Sequence, residues 1–365
     1  MSALETEFRA LREELDAEIA ALAEAIEDPA KIDRARVERR MTAIDQIHRR
    51  FGSRAARDFP RPFPTGQAPA QSLRGWHLFN KEVLDMRHAF AQWPGLRAAI
   101  WQQLSARRQK LYPSLPKDRD VAAAQQLASD QAFRHLHRFV NQETQHGDAD
   151  AAGAYPDIAL PHSVFLRHLL AAHRIMLARR LGRPARFLDV GCGAGMQLLI
   201  AAQFFRPSDG FDFDPGYVAA AEKLVATVDL AEVEIFEQDA LTFDGYAAYD
   251  VIYFYQPMHD EVKLHQLEER IVSQAPPGTL LIAPYVSFEH RYDALGCSRV
   301  AGRCYLAHTK ARAAARVRRR AELMGPNTTL SPRRTVEIWD PVVIRLRANG
   351  YFSGDAFSYQ PRSVI

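Results

Sequence analysis

The chain has 365 residues, 47% hydrophobic and 25% charged, with a formal net charge of +3, the balance of a soluble globular protein with room for two domains. Its longest apolar runs are strand-sized or broken by charge, which excludes a transmembrane helix, and the small positive charge permits an anionic partner without demanding one. Cys192, Cys297 and Cys304 form an odd set with no ligand cluster nearby, so neither a disulfide framework nor a metal site is expected.

The opening MSALETEFRALREEL is acidic and periodic, with no basic start leading into an apolar core; it predicts a cytoplasmic rather than a secreted protein. Leu4, Phe8, Leu11, Leu15, Leu22 and Ile26 follow a three-and-four spacing, which predicts a helix with one apolar stripe. Asp28-Pro29 interrupts it, and Val37, Met41, Ile44, Ile47 and Phe51 resume the pattern. Two such stripes must bury against each other, the body of the protein or a second subunit, so a homodimer stays open. FPRPFPTGQAPA at 59–70 carries four prolines and reads as a linker or surface strap. A mostly helical tract from Leu78 to Val140 follows, with Trp76, Trp93 and Trp101 in or beside it as core candidates. The polar loop QETQHGDADAAG then leads to a helix from Ser163 to Arg180, which Gly182 is placed to end and Pro184 prevents from continuing. Residues 1–160 thus read as an α-helical N-terminal domain that covers a substrate or mediates oligomerisation.

Beyond Gly182 the texture changes. ARFLDV, SDGFDFD, AEVEIFEQD, YDVIYFY and GTLLIAPY read as strands, separated by helices in LLIAAQFF, PGYVAAAEKLVATV and EVKLHQLEERIVSQA. Near-continuous apolar strands alternating with helices predict an α/β domain at 161–365, with a mostly parallel twisted sheet covered on both faces.

The first strand ends in Asp189-Val190 and runs into Gly191-Cys192-Gly193-Ala194-Gly195 before the next helix, which makes a crevice at the strand's carboxyl edge. The dinucleotide fingerprint GxGxxG needs a glycine where Met196 stands, and no Gly-Lys-Ser/Thr follows for a phosphate loop. Asp212 ends the second strand, 17 residues beyond Gly195, where a carboxylate can accept from two ribose hydroxyls. Asp239 ends the third, placed to meet an adenine amino group, with the Ala240 backbone at the ring edge.

With these residues in order, Arg186–Tyr285 resembles the class I S-adenosylmethionine-dependent methyltransferases, the seven-strand Rossmann-like type. DVGCGAG matches the family's first motif, with Asp189 as its acid and Gly191, Cys192, Gly193 and Gly195 as its loop. The resemblance implies S-adenosyl-L-methionine as cofactor, with Asp212 at the ribose, Asp239 and Ala240 by the adenine, and Phe213 among the cofactor-binding residues. It implies transfer of a methyl group by in-line attack on the sulfonium, and leaves the acceptor atom open.

The fourth strand's edge reads YDVIYFYQPMHDE. Family members that methylate base amino groups or glutamine amides carry Asn/Asp-Pro-Pro-Tyr/Phe there; here the corresponding residues are Tyr255, Gln256, Pro257 and Met258, so only the second proline matches. Tyr255 and Gln256 are the candidates to orient an acceptor, with His259, beside Asp260, as a base; alternation puts Tyr253 on the side of Tyr255. A small-molecule acceptor is favoured. The alternatives are a protein acceptor of the lysine type, suggested by a loose likeness in the helix HSVFLRHLLAAHRIMLARRLG, or a nucleic acid. KARAAARVRRR at 310–320 holds six basic residues and no acid; it is either a solvated helix face or a surface for phosphates or an acidic substrate, and it lacks aromatic residues for base stacking. The last stretch reads as a helix entering a Gly-Tyr-Phe turn before closing strands. Two other readings compete: a nicotinamide oxidoreductase, opposed by Met196, and a non-enzymatic binding or assembly protein that retains the fold.

Overall fold

A computed structural model describes residues 2–57, 70–115, 120–141, 155, 160–230, 232–325 and 337–352. The strap at 59–69, the loop at 142–153 and the stretch after Phe352 lie outside the described residues, as do the side chains of Leu4 and Trp76. The chain divides into two compact units, residues 1–107 with 324–365, and residues 108–323.

The first unit is helical. Helices α1 (Ser2–Ala25) and α2 (Arg34–Arg57) pair along the periodic stripes, which bury Leu15, Leu22, Ile44 and Ile47 completely. Their reversal is made locally: the Asp28 carboxylate accepts from the Ala30 N–H at 3.1 Å, and Asp33 accepts from the Arg36 N–H at 3.2 Å, an N-cap bond. Helix α3 (Ala70–Leu104) supplies Trp93, whose ring stacks on Trp339 at 5.2 Å between centroids. Trp339 belongs to a helical turn late in the chain, which precedes the C-terminal helix Asp340–Ala348. That helix completes the core of this unit with Val342 and Leu346.

The second unit begins with helices α4 (Val121–Val140) and α5 (His162–Arg179). Helix α5 ends on Arg180, itself left-handed at φ 54°, ahead of Gly182. Then come β1 (Phe187–Val190), α6 (Met196–Ala201), β2 (Ser208–Asp212), α7 (Pro215–Thr227), β3 (Ile235–Glu237) and β4 (Val251–Phe254). Helix α8 (Glu261–Gln274), β5 (Leu280–Ile282), α9 (Val286–Arg291), β6 (Ser298–Ala301), β7 (Cys304–Leu306) and α10 (Ala311–Ala321) follow. The C-terminal helix is α11.

The sheet has seven strands in the order β3-β2-β1-β4-β5-β7-β6. β1 to β5 pair in parallel and β7 runs antiparallel to both β5 and β6. β1 and β4 are buried at every position, as strands covered on both faces must be. The strands that close the sheet are β6 and β7, joined at Gly302-Arg303, whereas the position expected for them after Gly350 lies largely outside the described residues. The chain leaves β1 toward β3 and returns to β4 on the other side, so the crevice at a reversal of strand order opens above β1 and β4. Among the described residues no helix is long and apolar enough to cross a membrane.

Candidate functional site

The carboxyl ends of β1, β2 and β4 surround a cavity of about 290 Å³. Register brings them there: Asp189 stands opposite Gly210 of β2 and Tyr253 of β4. The loop after β1 is tied to the end of β2, because the N–H groups of Gly191 and Cys192 both donate to the Phe211 carbonyl at 3.0 and 2.9 Å. The Gly193 N–H donates to one oxygen of Asp212 at 2.9 Å, and the Asp214 N–H to the other at 3.0 Å. Asp212 therefore holds the glycine loop in place.

Gly191, Cys192, Gly193, Asp189, Asp212, Phe213, Asp239 and Ala240 all line the cavity. Gly191 has φ +76°, and a Cβ there would come 2.9 Å from Cβ of Pro257; the loop needs a glycine to approach the segment after β4. Gly195 is not among the lining residues. Its φ is +77°, and a Cβ would stand 2.9 Å from Cβ of Ala221 on α7, so this glycine serves helix packing behind the loop. Phe213 is 42% exposed at the end of β2, an aromatic face open to a planar ligand. Asp239 accepts from the Leu241 N–H at 2.8 Å, which fixes the turn that carries Ala240 to the cavity wall.

On the β4 side, Tyr253, Tyr255, Gln256, Pro257 and Met258 line the same cavity. Tyr253 packs edge-on to Phe165 at 5.0 Å, and burial, reinforced by the Asp189 charge, holds its hydroxyl protonated far above the usual range. Gln256 has φ +44°, a conformation that costs a non-glycine residue energy and clusters at functional sites. His259 is exposed and outside the lining. Asp260 caps α8, accepting from the Val262 and Lys263 N–H groups at 2.9 and 3.0 Å. Those bonds, the Lys263 N–H foremost, hold its carboxyl below the ordinary value.

Tyr155, His137 and Lys263 also line the cavity, and the local sequence around them carries no motif. Tyr155 sits on the acceptor-side segment through three contacts. Its N–H donates to the Pro257 carbonyl at 3.4 Å, its hydroxyl accepts from Gln256 Nε2 at 3.4 Å, and its ring lies edge-on to His259 at 5.6 Å. Gln238, next to Asp239, and Met196, in the place of the last dinucleotide glycine, also line the wall.

Residues 128–293 match the family model of protein-L-isoaspartate(D-aspartate) O-methyltransferase. The match agrees with the seven-strand order and the glycine loop already in view. Residues 108–323 carry the fold and the first motif of the class I S-adenosylmethionine-dependent methyltransferases. Methyl transfer is the activity this fold and match support, with the acceptor left undetermined. Similar solved structures include an RNA methyltransferase from Salinibacter ruber, 25% identical, covering 34% of this chain and 76% of that one at a TM-score of 0.29. An amino pentose methyltransferase from Micromonospora echinaspora is 19% identical over 36% of this chain and 59% of its own, at 0.27. A search of curated proteins finds no match. The cavity lies on Asp189, Gly191, Cys192 and Gly193 of the first motif, and Gly195 stands behind it.

Proposed function

We propose that the methyltransferase holds S-adenosyl-L-methionine along the carboxyl ends of β1, β2 and β3, and that Tyr255 and Gln256 orient a small-molecule acceptor above β4. The observation that carries this reading is the convergence of Gly191, Asp212, Asp239 and Tyr255 on one cavity. The donor set fits the group: a loop that a Cβ would close, a carboxylate for a ribose diol, and a backbone turn at Ala240 for an adenine edge. Bound there, the cofactor supplies an electrophilic methyl carbon on a sulfonium. Asp212 would accept from the ribose hydroxyls while keeping its hold on Gly193, and Phe213 would offer its exposed ring to the cofactor beside it.

On the acceptor side the work is alignment, since nucleophile, methyl carbon and sulfur must be collinear. The Tyr253 hydroxyl stays a donor because burial keeps it protonated. Gln256, held by Tyr155, presents a fixed amide to the acceptor, and Tyr255 its hydroxyl. His259 serves as base only for an acceptor that seats beyond the lining residues. A carboxylate acceptor, the class named by the similar O-methyltransferase family, is the second reading; Lys263 and His137 on the wall offer it a cation and a donor. The free, buried cysteines suit a reducing compartment, the cytoplasm. The helical region before the methyl-transfer residues serves to select the acceptor or to pair subunits, which sedimentation of the full chain distinguishes.

Calorimetry with S-adenosylhomocysteine, S-adenosylmethionine and NAD tests the cofactor. Micromolar binding of the first two and none of NAD is expected; no binding of either sulfur ligand overturns the reading. Incubation with methyl-labelled donor and separate small-molecule, protein and nucleic-acid fractions then identifies the acceptor class.

A further inference from the structure

Helix α10 carries Arg312, Arg316, Arg318, Arg319 and Arg320 on eleven residues, with Lys310 at its N-cap. Its small face is what the fold uses: Ala314 and Ala321 are buried where the helix packs on α5 and β6. The arginines are exposed. Arg312, Arg316 and Arg319 fall at steps of four and three, one stripe along the helix, and no carboxylate among the described residues pairs with any of them. Arg318 reaches Glu322 only at 3.9 Å, and Glu322 also pairs with Arg108 at 2.6 Å. On α1 and α2 the pattern is the opposite: Arg9, Arg12, Arg34, Arg36, Arg40 and Arg50 each meet a carboxylate.

The stripe works against the helix that bears it. Like charges three and four apart repel, and Lys310 and Arg312 sit at the N-terminal end, where the helix dipole favours anions and where this helix has no acid. Folding does not require such an arrangement, and a polyanion laid along the stripe relieves both terms. Membrane insertion is disfavoured by the absence of Leu, Phe or Trp on the helix. Arginine, with its planar fork, suits phosphate oxygens, and the lack of aromatic residues points to backbone contacts on a duplex rather than base stacking on a single strand.

We propose that α10 is a docking surface for the phosphate backbone of double-stranded nucleic acid. The surface lies at the β6 end of the sheet, three strands from β4, or about 14 Å at ordinary strand spacing. It anchors a partner apart from the methyl-transfer cavity, and it stands independently of the cofactor assignment.

The test is fluorescence anisotropy of the full chain with labelled duplex DNA and duplex RNA, from about 50 to 200 mM salt. Micromolar binding at the low end is expected, with a log–log salt slope of about −3 to −4 for some four phosphate contacts. Whichever duplex binds more tightly identifies the source. The triple variant Arg312→Gln, Arg316→Gln, Arg319→Gln should bind at least tenfold more weakly, with a slope shallower by about 2–3. The Lys triple should keep the slope, and unchanged circular dichroism shows that both variants are folded. Absence of binding to either duplex, an unchanged Gln triple, or binding only to phosphatidylserine vesicles or to polyglutamate overturns the proposal.

Discussion

Gly195→Ala separates the two jobs of the glycine loop. At φ +77° an alanine pays the left-handed cost, and its Cβ would lie 2.9 Å from Cβ and 3.3 Å from Cα of Ala221. Neither atom is the tip of a flexible side chain, so α7 itself must shift. The backbone term is about 1–2 kcal/mol and overpacking adds about 1–3 kcal/mol, a loss of about 2–5 kcal/mol. Gly182 provides the control: its φ is +75°, and a Cβ there meets nothing within 4 Å. Gly182→Ala should therefore cost only the backbone term, about 1–2 kcal/mol. Urea unfolding of both variants, followed by tyrosine and tryptophan fluorescence, measures the difference. Equal losses would refute the packing role of Gly195. A second readout guards the functional side, because Gly195 does not line the cavity. Folded Gly195→Ala should keep its affinity for S-adenosylhomocysteine within about threefold. Gly191→Ala, whose Cβ would press on Pro257, should lose at least about tenfold, or 1.4 kcal/mol.

Asp212→Asn keeps the shape but turns one acceptor oxygen into a donor facing a backbone N–H; calorimetry should show S-adenosylhomocysteine affinity falling about 10–100-fold, as for a lost bond to a charged acceptor. Hydrogen exchange at Gly193 should rise in the same variant, and an affinity within threefold of wild type would show that the ribose is held elsewhere. Tyr155→Phe keeps the ring and the N–H bond to Pro257 but releases Gln256; turnover should drop about tenfold at unchanged cofactor affinity, if Gln256 aligns the acceptor. Equal turnover would remove Tyr155 from the acceptor side. Burial lowers the pKa values of His168 and His173 from 6.5 to about 4, so the unfolded chain binds these protons first. Their contribution is complete above pH 6.5 and is lost as pH falls toward 4, about 3 kcal/mol for each. The stability difference between wild type and His173→Gln should therefore shrink or reverse between pH 7 and pH 4.5 in urea titrations; a difference constant with pH contradicts the burial assignment.

The α/β order and the glycine loop were legible in the linear sequence because their causes are local. A parallel strand covered on both faces must be apolar throughout, as FLDV and VIYF are, and left-handed turns at Gly191 and Gly195 call for glycine whatever surrounds them. Asp212 and Asp239 were legible because parallel strands put their carboxyl ends on one edge. What the tertiary structure alone decided depends on partners far away in the chain. Asn349 Nδ2 donates to the Ile26 carbonyl at 2.9 Å across 323 positions, so α11 shares a core with the first helices. Tyr155 meets Gln256 across 101 positions, and nothing in its neighbourhood announces the contact. Gly195 and Gly191 look alike in DVGCGAG, yet one faces Ala221 and the other Pro257. Local sequence sets backbone conformation and which face is apolar; which surfaces then meet is settled by the packing of the whole chain, and that packing divides the loop's glycines between helix and cavity.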